Sequence, residues 1–292
     1  MFAINKTKTL IIGLLLVLPI VLLRFFTSLY PMIITFQYSF LNYNLIKGTK
    51  VFFAFGNFVN LFRDTNVIGS LEFTFIFTIG SVVLQVIMGI LFALMLNVEY
   101  RGQRFIRSIA LIPWAIPMVV AGIAASWAFQ EEYGLVNDIL FRVFHIRPLW
   151  MVFPFGARAA VILTNVWKGT PFVAIIVLAG LQHIEAEVYE SVRIDGASAW
   201  IIFWKIILPA IVGVIGVISI FMTLWNISSF DLVYAMTKGG PGVSTSLLSY
   251  RVYQEAFSTM NYGYASAIAV VMFFMIAIFA AIAFRMQKRI MS

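Results

Sequence analysis

Long apolar runs alternate with short polar stretches along the chain. A helix needs about 20 mostly apolar residues to cross the hydrocarbon core of a bilayer. Six segments meet that requirement, at about 10–37, 67–96, 108–129, 157–181, 206–234 and 264–284. The runs are too long for barrel strands and lack period-2 alternation. The pattern predicts an all-α membrane protein with six transmembrane helices. The intervening segments 38–66, 130–156 and 235–263 are too short to fold separately and no internal repeat is visible, so residues 1–292 read as a single transmembrane domain. Asn5-Lys6-Thr7-Lys8 followed by Leu10 to Leu23 has the outline of a signal peptide. No small-residue cleavage site follows, and the apolar stretch continues through Phe25-Phe26 to Phe36, which predicts a retained first span.

Composition supports the membrane reading. Apolar residues make up 62% and charged residues 11%, against roughly 45–50% and about 25% in soluble domains. Thirty-two charges cannot cover a globular surface of this size, which excludes an ordinary soluble enzyme, a disordered chain and a nucleic-acid binder. The net charge of +8 is a topology signal, because Lys and Arg are retained on the cytoplasmic side of short loops. With the N-terminus inside, the cytoplasmic segments hold Lys6 and Lys8; Arg101, Arg104 and Arg107; Arg193 and Lys205; and Arg285, Lys288 and Arg289. Six spans then return both termini to the cytoplasm. Cysteine is absent, so there is no thiolate metal site and no cysteine nucleophile. The chain has no Gly-Lys dipeptide and hence no phosphate-binding P-loop, and neither H-E-x-x-H nor G-x-S-x-G occurs. It is not expected to be an enzyme, and ATP hydrolysis would need another polypeptide.

Residues 182–209 form a cytoplasmic loop with helical content. Glu187, Glu190 and Arg193 recur every three residues and share a helical face, while Val188 and Val192 share another. Asp195 is placed to cap a second helix from Ala197 onward, Gly196 supplies a permissive corner, and Pro209 is expected to break the pattern where the next span begins. These residues fit either an amphipathic interfacial elbow or a docking knob for a cytoplasmic partner.

Polar residues inside a span are functional candidates by default. They include Arg24, Gln85, Asn165, Lys168, Asn226, Ser228, Ser229 and Asp231. Asn165, Lys168, Gly169 and Phe172 share one helix face. Trp225, Asn226 and Ser229 are expected to form a similar stripe on the fifth span. Together the two stripes offer hydrogen-bonding groups and aromatic faces. The competing reading is interhelical bonding, at about 0.6 kcal/mol per bond. Lys168 is expected near the outer boundary, where its stem can snorkel to water. Arg24, mid-span, is expected to face protein, a polar defect or a tilted boundary. His145 and His183 lack metal-ligand partners, and Trp114, Trp150 and Trp200 read as interface anchors.

Tyr189-Glu190-Ser191-Val192-Arg193-Ile194-Asp195-Gly196-Ala197, with Ile206-Ile207-Leu208-Pro209 after it, resembles the EAA signature of ABC-importer permeases. Glu-Ser-Val stands where Glu-Ala-Ala is usual. The stretch Arg101 to Arg107 with Pro113 and Pro117, the segment Asn165 to Phe172, and Leu178 to Gln182 are similar to the same family. Thr237-Lys-Gly-Gly-Pro241, Thr245, Tyr250, Tyr253, Ala256-Phe257 and Gly263 to Ala267 resemble its carbohydrate branch, and within it the larger of the two maltose permeases, without that subunit's extra N-terminal spans and external domain.

The resemblance implies a type I ABC-importer permease fold in a prokaryotic inner or plasma membrane. It implies coupling helices in which Glu190, Ser191, Asp195, Gly196 and Ala197 meet an ATPase subunit, and a sugar pathway lined by Asn165, Lys168, Gly169, Phe172, Trp225, Asn226 and Ser229. The implied partners are a second, different permease, two ATPase subunits, an extracytoplasmic sugar-binding protein and membrane lipid. This chain would bind no cofactor, ATP and Mg residing on the ATPases. An ion-coupled secondary carrier, disfavoured by the lack of paired intramembrane carboxylates, and a purely structural membrane subunit are the alternatives.

Overall fold

A computed structural model describes residues 6–98 and 101–291. The side chains of residues 6–11, Ala186, Glu190, Arg193 and 288–291 lie outside that description. Two compact units are present, one comprising residues up to Arg63 with Val252–Val271, the other Asp64–Arg251 with the residues from Met272.

In the first unit, α1 (Lys6–Arg24), a π turn (Phe25–Leu29) and α2 (Tyr30–Ser39) form one continuous span, Ile12–Ser39. None of its apolar core is buried within the chain, and Arg24 is exposed at the head of the π turn. A short antiparallel hairpin follows, β1 (Leu41–Asn44) with β2 (Thr49–Phe52), in register Leu41↔Phe52. Its four-residue strands are too short to register in a hydropathy pattern. Asn57, in α3 (Gly56–Leu61), donates to the Ser39 and Leu41 carbonyls at 2.9 and 2.8 Å and ties hairpin to helix.

The second unit contains α4 (Thr65–Asn97), α5 (Gln103–Ala110), α6 (Ile112–Ala115), α7 (Met118–Ala128), α8 (Leu135–Phe144), α9 (Pro154–Leu181), α10 (Ala186–Ile194), α11 (Ala199–Ile202), α12 (Leu208–Ile227), α13 (Asp231–Met236) and the start of α14 (Leu248–Tyr253). The last helix, α15 (Tyr262–Met291), carries the final span, Tyr262–Gln287. The core of this unit lies where α4, α9 and α12 meet, around Ala93, Val173, Val177, Leu181, Ile211 and Met222. Small residues let membrane helices approach closely. A Cβ on Gly89 would sit 2.5 Å from Val173 Cγ1, so glycine sets the α4–α9 separation.

Five helices are long and apolar enough to cross a membrane, and a bent pair makes up to six. Over 108–129 the expectation of one helix is corrected to a bent pair. Gln103–Ala115 and Met118–Ala128 meet at 86°. Ile116 precedes a proline and is driven to extended backbone, ψ 133°, as is Pro117 at ψ 138°. The fifth span is Ala199–Ile227 rather than 206–234. Pro209 does not break it, because Pro209 lies in the first turn of α12, directly after the π turn Phe203–Ile207. Proline is tolerated where its missing N–H is not needed.

The second helix of the 182–209 segment is thus the start of a span. Its N-cap is Ser198, whose hydroxyl accepts from the Ile201 N–H at 3.4 Å, and not Asp195. Gly196 does form the corner, at φ +76° with open space around it.

Candidate functional site

A small cavity opens between α4, α6, α9 and α12, and its floor is polar. Gln85 on α4, Asn165 on α9 and Asn226 on α12 are 0%, 3% and 1% exposed. A buried amide must find partners, and these three find each other. Gln85 Nε2 donates to the Asn165 carbonyl at 3.0 Å, Asn165 Nδ2 to Asn226 Oδ1 at 2.9 Å, and Asn226 Nδ2 to Gln85 Oε1 at 3.2 Å. The ring of bonds locks the three core helices together. Gly169 is the space that admits it, since a Cβ there would lie 2.3 Å from Gln85 Nε2.

Aromatic rings form one wall. Trp114 stacks on Phe172 with centroids 5.2 Å apart and planes 12° apart. Phe172 meets Phe221 at 5.6 Å, and Phe221 meets Trp225 at 5.8 Å. Lys168 is 7% exposed, and its Nζ donates to the Trp114 carbonyl at 2.9 Å. The break at Ile116–Pro117 denies that carbonyl its helical acceptor role, because Pro117 has no N–H and the next N–H belongs to a helix leading away. A cation at the end of a helix also complements its dipole. Lys168 and Phe172, four residues apart on α9, therefore grip the broken span at a single residue.

Asn165, Lys168, Gly169, Phe172, Trp225 and Asn226 all line this cavity. Ser229 does not. The helix ends at Ile227, and Ser229 lines a neighbouring cavity of about 510 Å³ that shares Phe221 and Trp225. Its carbonyl accepts from the Ser249 hydroxyl. Lys168 is buried on a protein carbonyl rather than snorkelling to water, and Trp114 is part of the cavity wall rather than an interface anchor. Sequence reasoning noted Gln85 as an intramembrane polar residue but did not join it to the site. The signal was there: a lone glutamine in a 33-residue apolar helix must have a partner across a helix boundary. The polar cavity holds about 60 Å³, far below the ~300–1,000 Å³ of small-molecule pockets. In this conformation it has room for water and not for a sugar ring.

Away from the cavity, Ser191 Oγ donates to the Val188 carbonyl at 3.1 Å, and the Ala197 N–H closes the end of α10 on the Val192 carbonyl at 3.2 Å. Asp195 is exposed, and the Glu190 side chain lies outside the described residues. The hydroxyl of Tyr189 is buried without a partner among the described residues, and burial pushes its pKa up from the ordinary tyrosine value. Among the described residues no group of His, Asp or Glu could hold a metal ion.

Residues 85–292 match the family of binding-protein-dependent transport system inner membrane components. The sulfoquinovosyl glycerol transport system permease of Agrobacterium fabrum is 37% identical over 264 residues, which cover 90% of this chain and 86% of that protein. The trehalose/maltose transport system permease of Thermococcus litoralis is 32% identical over 272 residues, 93% of this chain and 92% of its own length. The solved structure of a bacterial ABC transporter involved in the import of the acidic polysaccharide alginate contains a chain that matches with a TM-score of 0.83 at 25% identity, over 98% of both chains. An ion-coupled carrier has no counterpart among these relatives. The chain is a multi-pass inner-membrane protein with the type I permease fold, and it belongs to the family of binding-protein-dependent transport system inner membrane components, among the permease subunits of ABC-type sugar importers.

Proposed function

We propose that this chain forms one half of a sugar pathway through the membrane, with Asn165 and Asn226 as the groups that bond sugar hydroxyls. Phe172 and Trp225 supply apolar faces, Lys168 and Gly169 shape the wall, and Ser229 serves the adjoining larger cavity. The observation that carries this reading is the amide ring itself. Each of its three side-chain amides donates one hydrogen bond to a neighbour in the ring, at a cavity edged by four aromatic rings. A sugar can replace those bonds one for one when the helices separate. The relatives' names, for sulfoquinovosyl glycerol and for trehalose and maltose, support a sugar-type substrate.

Residues 1–292 act as a single permease domain, and the cytoplasmic coupling loop expected over 182–209 ends where the span Ala199–Ile227 begins, with both termini on the same side. Glu190, Ser191, Asp195, Gly196 and Ala197 present the EAA-like turn to an ATPase subunit. One such turn serves one ATPase, so a second, different permease provides the other. Two ATPase subunits carry ATP and Mg, and an extracytoplasmic binding protein delivers substrate. ATP-driven closure draws the coupling loops together and opens the cavity outward.

Replacing Asn165 and Asn226 with Leu, singly and together, in the assembled complex tests the pathway. Loss of one neutral hydrogen bond costs about 0.5–1.5 kcal/mol, a roughly two- to twelve-fold loss of affinity. Uptake should fall with assembly and binding-protein affinity unchanged. Normal uptake in the double variant would make the ring helix-packing glue.

A further inference from the structure

The face of α9 that turns away from the amide ring carries a second feature. A groove of about 450 Å³ runs between α7 and α9 beneath the start of α8. Ala124 and Ala128 of α7, Leu135 and Val136 of α8, and Leu163 and Trp167 of α9 line it. The volume falls within the ~300–1,000 Å³ range of small-molecule sites, yet the lining is hydrocarbon. The hydroxyl of Thr164, also in the lining, is already bonded to the Ala160 carbonyl and the Met236 sulfur. Such a surface can recognise an alkyl chain and little else.

Two further observations identify the occupant. Leu163 and Trp167 lie nine and thirteen residues below the start of α9, hence about 14 and 20 Å along it at ~1.5 Å per residue, within the hydrocarbon layer. The helix α8, which contributes Leu135 and Val136, has the character of an interfacial helix. Leu135, Ile139 and Val143 follow at four-residue steps and are 54%, 51% and 61% exposed, beside the Asp138–Arg142 ion pair at 2.8 Å. Asn137 fixes the helix in that attitude, donating to the Glu131 and Pro148 carbonyls and accepting from Trp150 Nε1. A helix with one apolar edge and one charged edge lies along a bilayer surface.

We propose that this groove binds one acyl chain of a phospholipid, with α8 lying along the headgroup layer above it. The proposal rests on the pathway reading for its choice of occupant. At ~100° per residue the groove residues of α9 stand roughly 140° around the helix from Asn165, Lys168, Gly169 and Phe172. The second permease closes the cavity face, so the groove faces lipid.

The test uses the assembled complex in vesicles of phosphatidylcholine that carries a diazirine midway along one acyl chain. Irradiation followed by mass spectrometry maps the adducts. Leu135, Leu163 and Trp167 should be labelled several-fold above the exposed apolar side chains of α4 and α12. Ala124 is exposed, so Ala124→Phe fills the groove and should abolish the groove adducts while leaving the others. Ala128→Leu fills the same space and serves if Ala124→Phe does not assemble. Labelling of the groove at the level of the other apolar faces, or adducts that survive filling, would overturn the proposal and leave the pathway untouched. A failure of the pathway reading looks different: Leu163→Cys would then cross-link to the second permease and Trp225→Cys, on the cavity side and exposed, would not.

Discussion

Replacing Gly169 with Ala places a methyl group against the amide ring. Its Cβ would lie 2.3 Å from Gln85 Nε2 and 2.9 Å from Gln85 Cδ, where ordinary contact begins at 3.4 Å. Gln85 is fully buried and bonded on both sides, so its amide must retreat by about 1 Å. The 3.0 Å bond to the Asn165 carbonyl is then lost, and the 3.2 Å bond from Asn226 is lost or badly stretched, since hydrogen bonds fade beyond ~3.2 Å. Each buried polar group left unsatisfied costs about 1–3 kcal/mol. Alanine returns about 1 kcal/mol through its better helix preference. With one group left unsatisfied per bond, the net destabilisation should be about 1–5 kcal/mol, with uptake reduced. The sign should reverse when Gln85→Ala empties the space first. In that background Gly169→Ala meets no amide and should be neutral or slightly stabilising. Reversible unfolding in detergent of the wild type, both single variants and the double variant closes the cycle. Equal costs of Gly169→Ala in both backgrounds would refute the steric argument.

Lys168→Met should lower stability by about 1.5–3 kcal/mol, the worth of a hydrogen bond to a charged group, while Lys168→Arg retains most of it; thermal unfolding and uptake of the two variants check this. Gly196→Val forces a β-branched residue to φ +76° at a cost of roughly 1–2 kcal/mol and should uncouple ATP hydrolysis from transport with membrane insertion intact, whereas Gly196→Asn should be tolerated; substrate-stimulated ATPase activity is the readout. Tyr189→Phe removes an unpartnered hydroxyl and should leave stability equal or slightly raised at neutral pH. Because burial raises the folded-state pKa of Tyr189, the unfolded chain loses this proton first. Wild-type stability should therefore decline as pH rises above about 10 by an amount that Tyr189→Phe lacks, in unfolding measured across that range.

Hydropathy located the five long apolar helices because lipid imposes one dominant constraint, and the ends of α4 and α9 fell within three residues of expectation. It could not locate the break in the third span. Pro113 and Pro117 were visible, but spans tolerate proline whenever neighbours re-satisfy the backbone, and that neighbour, Lys168, is 51 residues further along the chain. The fifth span was displaced because Phe203 to Ile207 and Phe230 to Ala235 are both mostly apolar with one charge each, Lys205 and Asp231, and a hydropathy window cannot tell which flank turns. Helical spacing correctly grouped Asn165, Lys168, Gly169 and Phe172 on one wall. Carrying the same spacing past Ile227 misplaced Ser229, since periodicity holds only while the helix lasts. Trp114 and Gln85 were missed for one reason: each joins the cavity through a partner on another span, and a single sequence carries no record of which spans touch. At the turn after α10, Gly196 was legible from chemistry, while the choice of cap between Asp195 and Ser198 depended on a register difference of three residues.

The 86° break in the third span has a mechanical consequence. Pro117 has a fixed φ, and Ile116, as the residue before a proline, is confined to extended backbone. The corner therefore has few torsions left to turn and behaves as a rigid bracket. One arm is held to α9 through Lys168 and Phe172. The other arm, α7, presses Gly122 against the Leu232 carbonyl and Ala235 of α13, with no room for a side chain. Eleven residues give α7 a length of about 16 Å, so a rotation of about 5° at the corner would carry its far end about 1.4 Å. A straight helix pushed from below slides along its own axis. A bracket pushed at one arm swings the other sideways, turning a small tilt near the cavity into lateral displacement at the membrane surface.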